Sequence, residues 1–254
     1  MEVIILGSGT CIPANDRASP SLLFWTAHGP VIVDMGPGTL RRLASIGIPF
    51  EKIRHIFISH FHPDHTADLI HFLFATRNTS ILETRKPFIL TAPEGILDLL
   101  GSLDKAYGNG LRLPPEILKI DELNSRKKDR REYPYFKVMS QPTEHTPRSV
   151  AYRFEDISGK SIIYSGDTGV CDGMVDLALD CDLLILECSF PDGMEMDGHL
   201  TPSLAGQMAT ECRAKKLLLL HFYREVLETD MASGCRRFYK GELVLGRDNL
   251  HIHI

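Results

Sequence analysis

Apolar runs of strand length alternate along the chain with stretches whose apolar positions recur every three or four residues. The runs "VIILG", "SLLFW", "VIVDMG", "IRHIFISH" and "PFILTA" predict strands in the first half. "FKVMS", "VAYRF", "SIIYSGD", "DLLILE" and "KLLLLHF" do so in the second. Helical spacing predicts helices over Gly38–Ile46, Asp64–Ala75, Glu94–Leu103, Cys171–Ala178 and Thr201–Glu211, the last opened by a capping Thr201 and a first-turn Pro202. Strand groups followed by helices, with short connections among the early strands, predict two packed sheets with helices outside. That is an α/β protein with a four-layer αββα sandwich, read as a single domain over residues 1–254. The loose similarity of the halves hints at internal pseudo-symmetry.

The composition is that of an ordinary globular protein: 254 residues, 43% hydrophobic and 24% charged, with a net charge of −5. This balance speaks against a strongly basic nucleic-acid binder. The start, "MEVIILGSGT", reads as a first strand rather than a signal peptide, and no run approaches the ~20 apolar residues of a membrane helix. No membrane association and a cytoplasmic location are the expectations. The six cysteines form no C-x-x-C pair and read as free, buried thiols. One polar stretch, "NSRKKDRREY" at 124–133, is a solvated loop or hairpin tip, with a phosphate-contacting patch at 126–131 as the alternative.

The chemistry concentrates in "HFHPDH", residues 60–65, where three histidines and an aspartate follow a strand. Extended backbone points residues two apart to the same side, so His60 and His62 can chelate one ion together. Pro63 then permits a helix to start, which sends Asp64 and His65 in another direction, toward a second ion. This is not the H-E-x-x-H spacing of the zincin proteases. One segment cannot complete a metal site, and further donors are expected at other strand ends. His145 after "FKVMSQPTE", Asp167 closing "SIIYSGD" and His221 closing "KLLLLHF" have that context. The glycines of "LGSGT", Gly7 and Gly9, suit either a phosphate approach or a tight turn.

The order H-x-H-x-D-H, a lone histidine, "SGDT" and a strand-closing histidine resembles the metallo-β-lactamase superfamily. "LGSGTCIP", "VIVDMGPGTLRRL", "HTPRSVAYRF", "YSGDTG", "LLILECSF" and "HLTPSLAGQMA" resemble segments of ribonuclease Z, the tRNA 3′-processing endonuclease, in the same order over nearly the whole chain. The resemblance implies that His60, His62 and His145 hold one divalent ion, that Asp64, His65 and His221 hold the other, and that Asp167 bridges them. Zinc leads for imidazole with carboxylate, with manganese or iron as alternatives. Asp34 is similar to the family's aspartate that supports the ligand loop. His199 and Glu187 resemble a proton-delivering histidine and its carboxylate partner, and the resemblance implies that Asp64 also takes or steers the nucleophile's proton. Leu186 stands where the family motif usually begins with histidine. Arg148 is a candidate phosphate contact, with a surface salt bridge as the alternative.

Two adjacent dications activate a water and clamp a phosphoryl oxygen, which suits a phosphodiester. The bacterial tRNA-processing enzymes usually carry a long arm between the third histidine motif and the bridging aspartate. Here residues 146–166, 21 positions, leave no room for it. The primary expectation is therefore a dinuclear phosphodiesterase acting on a small cyclic or linear phosphodiester. A ribonuclease Z-like endonuclease gripping RNA, a thioester or lactone hydrolase, and a non-catalytic effector-binding protein are the alternatives. A homodimer is implied by the resemblance alone.

Overall fold

The five apolar runs of the first half become β1 (Glu2–Gly7), β2 (Ser21–Thr26), β3 (Gly29–Val33), β4 (His55–Phe57) and β5 (Phe88–Pro93), followed by the unpredicted β6 (Leu118–Leu123), in a computed structural model that describes residues 1–254. The second half supplies β7 (Asp129–Tyr133), β8 (Phe136–Pro142), β9 (Val150–Asp156), β10 (Ser161–Tyr164), β11 (Leu183–Glu187), β12 (Lys216–Leu220) and β13 (Glu242–Leu245). A last strand, β14 (His251–His253), returns to the first sheet. The two seven-stranded sheets run β14-β1-β2-β3-β4-β5-β6 and β13-β12-β11-β10-β9-β8-β7. Each is antiparallel on one side and parallel on the other, with β3 to β6 and β10 to β13 parallel.

The central strands are apolar on both faces because both faces are covered. In β11, Leu183 and Ile185 enter the core between the sheets, while Leu184 and Leu186 enter the core under the helices. In β1, Val3 and Ile5 face the other sheet, and Ile4 and Leu6 face the helices of the first half. The inter-sheet core thus joins strands of both halves, and three apolar layers separate four layers of structure. Each fully buried leucine contributes roughly 1.5–3 kcal/mol.

The helices are α1 (Thr39–Ser45), α2 (Pro63–Thr76), α3 (Thr79–Thr84), α4 (Ile96–Ala106), α5 (Asp172–Ala178), α6 (Pro202–Glu211), α7 (Arg224–Leu227) and α8 (Met231–Arg236). All five predicted helices are present within a few residues of their expected ends, and Thr201 caps α6 through Leu204 N. The unpredicted α3, α7 and α8 span only four to six residues, too few for a period to register.

The polar stretch at 124–133 departs from expectation. Residues 124–128 form a turn between the sheets, but Arg130 and Arg131 lie in β7. Arg131 bridges Asp121 and Asp129, and Arg130 pairs with Glu132, so only Arg126, Lys127 and Lys128 remain as free exposed cations. Of the cysteines, four are buried as expected. Cys171 is half-buried and Cys11 is exposed, where its Sγ lies 3.3 Å from the Tyr223 hydroxyl. No helix is long and apolar enough to cross a membrane.

Candidate metal centre and active site

The loops that leave the C-terminal ends of β3, β4, β10 and β12, with the loop after β8, meet at one end of the sandwich. His62 closes β4's loop in extended geometry and caps α2, Pro63 takes the first helical position, and Asp64 sits in the first turn, where the helix dipole favours a carboxylate. His60 and His62 therefore point one way while Asp64 and His65 enter the helix.

All seven sequence-predicted donors converge. His62 Nδ1 lies 3.1 Å from both His60 Nε2 and His145 Nε2. Asp167 Oδ2 stands 3.8 Å from His60 Nε2 and 3.6 Å from His145 Nε2. Its other oxygen, Oδ1, is 3.3 Å from His65 Nε2 and 3.4 Å from His221 Nε2. Asp64 Oδ2 completes that second group at 3.7 Å from His65 Nε2 and 3.5 Å from His221 Nε2. Ligands held tetrahedrally at zinc-like bond lengths stand roughly 3.3–3.4 Å apart, so the spacing is that of donors around a cation. His65 Nε2, His221 Nε2 and Asp167 Oδ1 are buried with no hydrogen-bond partner. Three orphaned polar atoms facing one point are costly unless something there satisfies them, and a divalent cation fits that donor set.

The opposite ring nitrogens are anchored, which fixes each imidazole's orientation. His60 Nδ1 meets Ser59 Oγ at 3.1 Å, His221 Nδ1 meets Ser189 Oγ at 2.9 Å, and His145 Nδ1 donates to the Gly198 carbonyl at 3.1 Å. Gly198 has φ +78°, and a Cβ there would come within 3.0 Å of His145 Nδ1, so both the turn and the contact need glycine. Asp34 is fully buried and takes four donors: Ser59 N, Ser59 Oγ and His65 Nδ1 at 2.7 Å, and Tyr164 OH at 2.8 Å. Asp34 and His221 both hold left-handed backbone, φ +60° and +58°, a local strain of about 1–3 kcal/mol each that the surrounding hydrogen bonds sustain. Ser59, Tyr164 and Ser189 were not predicted as site residues. Ser59 adjoins the motif, but nothing local links Tyr164 or Ser189 to it.

Burial works against ionisation of Asp167, yet the His221 and His65 imidazoles hold its carboxyl well below the usual range. Beside the cluster, Glu187 Oε1 accepts from His199 Nδ1 at 2.8 Å and from Thr168 N at 3.1 Å, while Oε2 accepts from Ser189 Oγ at 2.6 Å. Burial lowers the basicity of His199, but the bond to Glu187 and its charge outweigh this and raise the pKa. Leu186 points to the opposite face of β11, into the helix-side core, and leaves the Glu187–His199 contact intact. Phe190 stacks on Tyr223 at 4.9 Å and meets His199 edge-on, forming an aromatic wall.

Arg148 is exposed and makes no ion pair. Its guanidinium packs over the Cα of Gly95, so the surface salt bridge anticipated as its alternative is absent. Gly7 serves close chain packing, since a Cβ there would fall 1.8 Å from the Ser19 carbonyl oxygen. An open hollow of about 800 Å³ adjoins His145 and His199. Glu144, Asp172, Glu195 and Asp197 line it, with no lysine or arginine.

The fold and this donor set define a metal-dependent hydrolase. Residues 30–222 match the model of the beta-lactamase superfamily domain, and the chain belongs to that family, whose fold implies binding of divalent metal. It is similar to a protein named ribonuclease Z from Mycobacterium bovis (strain BCG / Pasteur 1173P2), 30% identical over 197 residues that cover 73% of this chain and 69% of the relative. Its structure resembles the short form of human tRNase Z, with a TM-score of 0.82, 24% identity, and coverage of 100% of this chain and 99% of the other. It also resembles a diphosphatase from the PhnP family, with a TM-score of 0.73, 21% identity, and coverage of 99% and 96%. The expected αββα fold and superfamily are thereby shown.

Proposed function

We propose that the protein is a dinuclear metal-dependent phosphodiesterase, working as one domain in the cytoplasm, whose substrate is a small cyclic or linear phosphodiester. One observation carries this reading: the two oxygens of Asp167 face two separate donor groups, His60/His62/His145 and Asp64/His65/His221. A pair of divalent ions, zinc first among them, would supply a nucleophilic water and clamp a phosphoryl oxygen. The chain's own residues do the rest. Asp64, at the helix start, can accept and orient the nucleophile's proton. His199, fixed through Nδ1 by Glu187, keeps Nε2 available to deliver a proton to the leaving alkoxide. The Phe190–Tyr223 wall limits the space beside it.

A small diester is favoured over RNA because the adjoining hollow carries four carboxylates and no cation, which repels a long polyanion. The connection from His145 to Asp167 holds only a turn, β9 and β10, with no arm. The relative named ribonuclease Z and the exposed Arg126–Lys128 turn support a second reading, an endonuclease. That turn leaves the C-terminal end of β6, the same end of the sheet as the metal-site loops.

The test is an assay of metal-loaded protein on bis-p-nitrophenyl phosphate, cyclic nucleotides, precursor tRNA, a thioester and a lactone. Turnover of the small diesters is expected. Hydrolysis of the thioester or lactone with the diesters untouched overturns the reading, and preference for precursor tRNA installs the second.

A further inference from the structure

At the opposite end of the first sheet, where β3 to β6 begin, lies a cavity of about 250 Å³. Its walls are apolar and aromatic, with Phe88, Tyr133, Tyr135 and Phe136 among them, and no carboxylate lines it. Arg54 and His28 form the boundary to a second hollow of about 480 Å³, which adds Lys52, Arg85 and Lys86 against the single acid Glu51.

None of these cations is in an ion pair, and the Arg85 guanidinium lies over the Phe88 and Phe72 rings at 4.1 and 4.9 Å. Arg54 contacts no carboxylate; its Nη2 lies 3.3 Å from His28 Nε2, and its Nη1 is buried with no acceptor. Arg85 is 5% exposed, donates through Nη2 to the Ile53 carbonyl at 3.0 Å, and has its Nε buried without an acceptor. Burial, reinforced by the charge of Arg54, pushes the Arg85 pKa down to about 10. Two neighbouring guanidinium groups with no anion between them are electrostatically unfavourable, and a bound phosphate would relieve that.

Inside the aromatic cavity sits His55, 4% exposed, with Nε2 bonded to Thr91 Oγ1 at 2.9 Å and Nδ1 without a partner. Its ring lies flat on Phe57 at 4.3 Å and against the edge of Tyr133 at 4.5 Å. Burial, aided by the charges of His28 and Lys119, takes its pKa to about 3, so the imidazole is neutral at ordinary pH. A neutral ring nitrogen in an aromatic slot suits the edge of a flat heteroaromatic group.

We propose that this end of the sheet is a second ligand site that binds a mononucleotide, its base between the aromatic walls against His55 and its phosphate on Arg54 in the adjoining basic hollow. The slot takes a ring and little more, while the hollow behind Arg54 has room for the sugar phosphate. The site does not depend on the metal centre, since the two lie at opposite ends of the strands.

Calorimetric titration of the full chain with adenosine monophosphate, adenosine and inorganic phosphate tests this, with and without a chelator that disables the metal centre. One-to-one binding of the monophosphate that survives chelation is expected, with adenosine and phosphate each at least tenfold weaker. Arg54→Ala and Tyr135→Ala should each weaken it at least tenfold and leave turnover of bis-p-nitrophenyl phosphate unchanged. Should Arg54→Ala fail to fold, Lys86→Ala and Lys119→Ala provide the same reading on exposed positions. Absence of binding, loss of binding on chelation, or indifference to these variants overturns the site. Phosphate binding as tightly as the monophosphate overturns the base assignment.

Discussion

The two donor groups that share Asp167 are built differently. In one, Asp64, His65 and His221 are buried, and three of the facing atoms have no other partner. Its histidines are tied through Asp34 and Ser189 into the base of the two sheets. In the other, His60 is fully buried, but His62 is exposed and His145 is half-buried and held by a single carbonyl from the loop before α6. The first group is part of the core, whereas the second runs from the core at His60 to the surface at His62. Removing a cation from the first strands desolvated polar atoms, whereas water can reach the second. The acidic hollow and His199 lie on the side of the second group.

That contrast can be broken most directly at the residue the groups share. Asp167→Ala should leave fewer than two ions per chain and lower turnover by roughly 10³-fold or more, because several kcal/mol of charge stabilisation depend on the pair. Metal analysis that still returns two ions would remove the bridging assignment. His199→Ala should lower turnover roughly 10²- to 10⁴-fold with both ions kept, as for loss of a general acid. Unchanged kcat would reduce His199 to a wall residue. Asp34→Ala should weaken metal binding by about 10- to 100-fold, more at the buried group, where His65 loses its direct anchor, than at the other, where His60 is reached only through Ser59. Equal weakening at both groups would erase the difference between them. Chelator titration should empty the sites in two steps, with the His62 group first, and a single concerted step would contradict it. The smallest effect belongs to joint replacement of Arg126, Lys127 and Lys128 by alanine, expected to change small-diester turnover less than about twofold because exposed charges are screened. A large loss confined to precursor tRNA would favour the endonuclease.

Much of the site could be read locally. "HFHPDH" places four donors within six residues, and the proline announces the change of direction that α2 then makes. The strand-closing positions of Asp167 and His221 were legible because they recur with His145 at the ends of apolar runs, and together they could meet at one edge of the sandwich. Asp34 was legible only by resemblance, since its partners Ser59 and Tyr164 stand 25 and 130 residues away. Arg131, expected as a loop cation, is a strand residue held by Asp129 beside it and by Asp121 from the other sheet, and the second pairing has no local signature. His55 stands at the start of the strand that leads into "HFHPDH", and its aromatic slot is completed by Tyr133 and Phe136, nearly eighty positions or more away.

By itself the sequence determined the layered architecture and the donor chemistry, because both follow from periods of two or 3.6 residues and from side-chain types. Only the tertiary structure decided which oxygen of Asp167 meets which histidines, which cations are already paired, and that a cation-rimmed aromatic slot lies at the far end of the same strands. Those outcomes depend on how two sheets stack and which strand ends come together, and ångström-scale distances between residues a hundred positions apart have no local signature.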